Sequence, residues 1–195
     1  MSQLKQEFDN AIAQLTSEGA PYEICTEDSG LRYYKAAPTN LREALSVARN
    51  HGDREFLIYE GERRSYNQRL DEADALGAAL QANGIKPGDR VALAMRNYPE
   101  WMVAFIAVTG IGAVIVPVNS WGQPADIAFT VEDSGARLVI CDQQRYDGLA
   151  GRIDQSALEL VIARPDKADD AHGLPAFVRG HGGAAPQQVA IEGDE

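Results

Sequence analysis

Positions 101 to 125, "WMVAFIAVTGIGAVIVPVNSWGQPA", form a run of twenty-five residues without a charge in a sequence that is otherwise about a quarter charged. Its first eighteen residues approach the roughly 20 that a membrane-spanning helix needs. Gly110, Gly112 and Pro117 interrupt such a helix, however, and no Lys or Arg cluster flanks the run to orient it. The run divides instead into two elements. Asn97-Tyr98-Pro99-Glu100 has the form of a capping box, with proline in the first turn where its missing N–H does no harm, so a helix is predicted from Tyr98 to Thr109. Gly110-Ile111-Gly112 predicts its stop. The following "AVIVPV" has the β-branched content of a buried parallel strand. The predicted helix is apolar all round, with Trp101, Phe105 and Val108 on one side and Met102, Val103 and Ile106 on the other. Such a helix is covered on both sides, which predicts that a partner chain or a further part of the protein covers its outer face.

The flanking sequence repeats the same alternation. Asn40 caps a predicted helix over "LREALSVARNHG", and "EFLIYEGERRSY" reads as two short strands about a Glu60-Gly61 turn. Ser65-Tyr66-Asn67-Gln68 is a second capping-box pattern, leading into a helix with Tyr66, Leu70, Ala73, Leu76 and Leu80 on one face and Gly84 at its end. "RVALAM" is the next strand. Pro124 opens a helix that Gly135 closes, "ARLVICD" is a buried-type strand, and "QRYDGLAGRI" and "ALELVIA" supply one more helix and strand. The fold class implied is α/β: a mostly parallel, doubly wound sheet with helices on both faces, a short β-hairpin, and an N-terminal helical arm. Three regions are predicted: residues 1–40 as an N-terminal helix and extended arm whose aromatics pack across the body, 41–163 as the α/β body, and 164–195 as a Gly-, Ala- and Asp-rich linker.

Charge and motif content exclude several functions. Twenty-nine acidic residues against eighteen Lys and Arg leave a net charge of −11 with no basic block, a surface that repels nucleic acid and anionic lipid. Cys25 and Cys141 lack metal or redox spacing, and two isolated thiols fit a reducing, cytoplasmic setting. His51, His172 and His181 form no ligand pattern, so no metal site is predicted. Charges at Lys5, Glu7 and Asp9 occupy the stretch where a secretory signal is apolar. Gly110-Ile111-Gly112 follows a helix and lacks the third glycine of a dinucleotide fingerprint. No lysine lies in a glycine-rich phosphate loop, no G-x-S-x-G elbow occurs, and the Glu132-Asp133 pair reads as a solvated helix end. No catalytic or cofactor-binding residue follows from these patterns.

The order of elements carries a resemblance. Ser65-Tyr66 entering a helix, Gly88-Asp89-Arg90-Val91, Asn97 with Glu100, Gly112-Ala113, Pro117 with Asn119, and Asp133-Ser134-Gly135-Ala136 follow one another at the intervals of the N-terminal region of AMP-forming acyl-CoA synthetases, the adenylate-forming ligases. "RNYPEW" and "VNSWG" are similar to a fatty-acyl-CoA ligase branch. The resemblance implies activation of a carboxylate with Mg-ATP to an acyl-adenylate, release of pyrophosphate, and acyl transfer to the thiol of CoA. It implies cofactors ATP, Mg and CoA for a full-length enzyme and none bound to this stretch. Those enzymes carry their chemistry in a later T-S-G-T-T-G-x-P-K-G loop, an adenine and ribose pocket, and a lysine in a mobile domain, none of which occurs here. "PQQVAIEGDE" resembles the stretch just before that loop, so an inactive N-terminal fragment is predicted, with the remainder of the ligase, or a second copy through its apolar surface, as partner. The alternative is a non-catalytic partner-binding or dimerisation module on the same half-fold.

Ligands in doubly wound sheets bind beyond the C-terminal ends of the strands. Asn97 and Trp121 follow "VALAM" and "AVIVPV" and are the substrate-side candidates. Asn97 has the competing role of helix N-cap. Trp121 has that of packing against the arm or the absent remainder.

Overall fold

In a computed structural model, residues 3–154 and 158–191 are described. The chain forms two compact units, Met1–Thr39 and Asn40–Glu195. The first contains α1 (Gln3–Thr16) and an antiparallel pair of strands, β1 (Ile24–Thr26) and β2 (Arg32–Tyr34). The predicted extended arm is thus a hairpin. Edge-on packing of Tyr22 and Tyr34 and a Lys35–Glu23 ion pair at 2.9 Å hold it closed.

The second unit opens with α2 (Leu41–Ser46), whose Asn40 cap accepts from the Glu43 N–H, and a 3-10 turn over Val47–His51. A hairpin of β3 (Glu55–Tyr59) and β4 (Glu62–Ser65) follows, its turn made by Glu60 and Gly61 with φ of 49° and 86°. The alternating part comprises α3 (Tyr66–Ala82), β5 (Arg90–Ala94), α4 (Pro99–Gly110), β6 (Val114–Pro117), α5 (Pro124–Ser134), β7 (Leu138–Cys141), α6 (Gln143–Leu149) and β8 (Glu159–Ile162). A last short helix, α7, covers Leu174–Phe177. The four strands of the alternating part form one parallel sheet in the order β6-β5-β7-β8.

Strand alternation builds the two layers. Val91, Leu93, Leu138 and Ile140 point to the side covered by α3 and α4; Ala92, Ala94, Val139 and Cys141 point to the side covered by α5 and Leu149 of α6. The predicted doubly wound architecture with a hairpin and helices on both faces is therefore present. The Ser65 capping box forms in full, the hydroxyl accepting from the Gln68 N–H while the Gln68 side chain accepts from the Ser65 N–H.

Two local expectations are corrected. Asn97 is not the cap of α4: the cap position is Tyr98, which makes no side-chain cap hydrogen bond, and Glu100 turns to Arg164 instead of back to the helix start. The strand in "AVIVPV" is not buried. As β6 it lies at the open edge of the sheet, with Val114 and Pro117 exposed and Ile115 and Val116 half-buried. The helix before it ends in a Schellman motif: Ala113 N–H donates to Val108 O and Gly112 N–H to Thr109 O, with Gly112 at φ 75°. On α4, Val103, Ala104, Ala107 and Val108 are buried, while Trp101, Met102, Phe105 and Ile106 are half-buried.

Residues 164–191 are mostly coil with definite attachments. Ile162 N–H donates to His172 O, extending the sheet by a parallel bridge to Gly173, and Gln187 is bound by Gln81 of α3. Of the terminal stretch singled out in the sequence, Glu192, Gly193, Asp194 and Glu195 lie outside the described residues. Among the described residues no helix is long and apolar enough to cross a membrane.

Candidate functional site

The C-terminal ends of the strands converge on one buried ion pair. The apolar strand "LVIC" ends at Asp142, which is 3% exposed and caps α6 by accepting from the Arg145 N–H at 3.0 Å. Its other oxygen accepts from the Arg96 N–H at 2.9 Å, at the end of β5. Arg145 is 8% exposed, reaches Asp142 Oδ2 at 3.2 Å, and donates from Nε to Ser120 O at 2.9 Å and also from Nη2 to the same carbonyl. One aspartate and one arginine thus tie together the exits of β5, β6 and β7. Charges this deeply buried require partners, and here both have them.

On this base stands the surface that the sequence pointed to. Ser120 is held by Arg145, and Asn119 Oδ1 accepts from the Trp121 N–H at 3.1 Å, so the loop after β6 has a set shape. Trp121 is 74% exposed, and Arg96 stacks on it with Cζ 3.4 Å from the ring centroid, a cation–π contact. That stack is the partner the structure gives Trp121. Asn97 is exposed and lines an apolar groove of about 320 Å³ with Ile58, Tyr59, Trp101 and Met102. Asn97 and Trp121 both follow C-terminal strand ends as expected, but the hydrogen bonds that organise this edge are those of Asp142 and Arg145.

A second arginine orders the neighbouring surface. Arg164, just after β8, lies beside the edge-on pair of Tyr59 and Tyr98, 5.0 and 5.2 Å from their ring centroids, and donates to Glu100 at 2.9 Å and Glu62 at 3.3 Å. The hydrogen bond to Glu100 is the chief reason its pKa is raised above the ordinary value. Arg164, Asp142, Gln143, Arg145 and Asp166 line a polar cleft of about 320 Å³. Sequence reasoning missed Asp142, Arg145, Arg96 and Arg164. Asp142 carried a signal, an acid directly after an apolar strand and before a helical stretch; the arginines carried none, because the partners on other elements that place them lie 25 or more residues away.

Chemically, these groups can bind and orient. No group of three or more His, Cys, Asp or Glu that could hold a metal occurs among the described residues. Cys141 is buried in the sheet, and burial pushes its thiol up to about 12, which removes it as a nucleophile.

Comparison with known proteins adds what the geometry leaves open. A family profile described as AMP-binding enzyme matches residues 45–189. The 3-hydroxybenzoate–CoA/4-hydroxybenzoate–CoA ligase of Thauera aromatica is 35% identical over 125 residues, which are 63% of this chain and 24% of that protein. The long-chain-fatty-acid–CoA ligase of Escherichia coli O6:H1 is 31% identical over 118 residues, 60% of this chain and 21% of its own. The N-terminal subdomain of Klebsiella oxytoca NpsA, solved with 3-hydroxyanthranilyl-AMSN, superimposes with a TM-score of 0.60 at 22% identity, covering 78% of this chain and 34% of that one. This last likeness shows the fold alone. The chain spans about a quarter of the length of these two curated relatives.

Proposed function

Because the chain belongs to the AMP-binding enzyme family, we propose that it is the N-terminal part of an ATP-dependent, AMP-forming acyl-CoA ligase. The observation that carries this is the profile match over residues 45–189 together with two CoA ligases more than 30% identical to it. The reaction proposed for the whole enzyme is activation of a carboxylic acid by ATP, with Mg, to an acyl-adenylate and pyrophosphate, then transfer of the acyl group to CoA, in the cytoplasm.

Within that reaction the present residues act as scaffold and wall. Asp142 and Arg145 fix the strand exits; Asn97 and Trp121 are the substrate-side positions we assign on that edge. The half-buried outer side of α4, with Trp101, Met102 and Phe105, is assigned to contact with the remainder of the ligase. None of these groups is a cradle for phosphates, since the sequence contains no glycine-rich loop with a lysine to neutralise them.

The acid is assigned to the fatty-acyl class on "RNYPEW" and "VNSWG". An aromatic acid is the second reading, favoured by the 35% identity to the hydroxybenzoate ligase. The test is ATP-dependent pyrophosphate release and acyl-CoA formation by the whole enzyme over a panel of fatty and hydroxybenzoic acids. Turnover with neither class overturns the assignment of substrate, and saturable pyrophosphate release by the 195-residue chain alone overturns the scaffold role.

A further inference from the structure

Residues 184–191 form neither helix nor strand, and each is exposed or half-buried. They are nevertheless fastened at four successive points. Pro186 lies against Gly77 of α3, where a Cβ would meet its ring at 3.4 Å. The Gln81 side chain binds the Gln187 backbone twice, Oε1 accepting from N–H at 2.7 Å and Nε2 donating to O at 3.0 Å. Arg42 donates from Nη1 to Val189 O at 2.6 Å and from Nε to Gly110 O at 2.7 Å. Ile191 closes over Gly112, where a Cβ would meet it at 3.3 Å.

Arg42 is the unusual member of this set. Its Nη2 is buried without a hydrogen-bond partner, and burial lowers its pKa. A guanidinium in that setting is destabilising unless the oxygens it does reach compensate for lost water. Gly110 O is one of the carbonyls that α4 leaves unpaired at its C-terminal end, where the helix dipole favours a cation. The second oxygen belongs to the coil. Arg42 therefore couples the position of the coil to the end of α4, and it has no other described role.

We propose that Arg42 and Gln81 are a clamp that sets the path of residues 186–191 across the end of α4. Its kinetic consequence rests on the ligase reading above: a phosphate-binding loop that follows this segment is placed by it, which makes Arg42 and Gln81 positioning residues that touch no substrate.

Amide hydrogen exchange on the 195-residue protein tests the clamp directly. The informative probe is the Gln187 N–H, which Arg42 does not touch. In Arg42→Ala it exchanges about tenfold faster while amides of β5 and β7 keep their protection, and Arg42→Lys, which retains a charged donor, recovers part of the effect. Unchanged exchange at Gln187 in Arg42→Ala overturns the clamp, as does an equal loss of protection across the sheet, which would make Arg42 a general support of the fold. In the whole ligase, Arg42→Ala and Gln81→Ala raise KM for ATP several-fold and leave KM for the acid unchanged; an unchanged KM for ATP overturns the kinetic consequence. If the unsubstituted whole enzyme releases no pyrophosphate, the ligase reading fails, while the exchange result still decides the clamp.

Discussion

Arg69 offers a sharp test of how this unit holds its hairpin to its helices. Its side chain is 4% exposed, while its partners Glu72 at 2.6 Å and Glu62 at 3.5 Å have side chains 40% and 36% exposed. Its Nε is buried with no hydrogen-bond partner. The two ways of breaking this set are therefore unequal. Arg69→Met removes the buried charge together with an unsatisfied donor, and it leaves carboxylates that still meet water and other arginines: Glu62 keeps Arg64 and Arg164, each at 3.3 Å. That change costs about 1 kcal/mol, the scale of ordinary lost hydrogen bonds. Replacing Glu62 and Glu72 together by Gln leaves the guanidinium buried without an anion, which costs on the order of 3 kcal/mol. With a urea m-value of about 2 kcal/mol/M, the midpoint falls by about 0.5 M in the first variant and about 1.5 M in the second. Equal midpoints, or a larger loss in Arg69→Met, would refute the argument that the cost lies in the stranded charge.

Three further outcomes follow from the geometry. Ser65→Ala removes a complete capping box and lowers stability by about 1 kcal/mol, or Tm by about 2–4 °C, whereas Asn97→Ala stays within about 0.5 kcal/mol because Asn97 caps nothing; a thermal scan of both variants checks the contrast. Gly112→Ala costs more than Gly84→Ala: both have positive φ, worth about 1 kcal/mol, but only at Gly112 does the new Cβ meet Pro87 and Ile191, each at 3.3 Å, and urea titration of the pair reads the difference. Because the Cys141 thiol titrates at about 12 in the fold against an ordinary 9.0, the unfolded state releases its proton first, so stability falls as pH rises between those values. Cys141→Ala flattens that slope in alkaline unfolding curves, and a thiol reagent near neutral pH modifies Cys25 before Cys141.

The fold was legible where local chemistry and burial agreed. Ser65 and Gln68, the Glu60-Gly61 turn, Gly135 and the apolar strands all speak within four residues of themselves, and each element appears where its signal placed it. Asn97 misled because an Asn-x-Pro-Glu sequence fits a capping box whichever way Glu100 turns, and a distant Arg164 decided that. "AVIVPV" misled because β-branched content reports strand, not position in the sheet. The strand-end surface was legible only in its location. Trp121 could be placed after β6 from sequence, but the Arg96 stack and the Asp142–Arg145 latch depend on contacts across 25 and 46 residues that no periodicity records.

The placement of Pro117 bears on how this chain behaves in company. Val114 and Val118 donate their amides inward to Asp89 O and Leu93 O, so by alternation Ile115 and Pro117 face the open edge of β6. Proline has no amide hydrogen, which leaves one outward donor on that edge where an unbroken strand has two. A foreign strand arriving there finds a half-written template, so edge-to-edge growth into aggregates is disfavoured during synthesis and at high concentration. The apolar side chains beside it stay free for contacts made by packing, and such contacts discriminate between shapes in a way that backbone ladders do not.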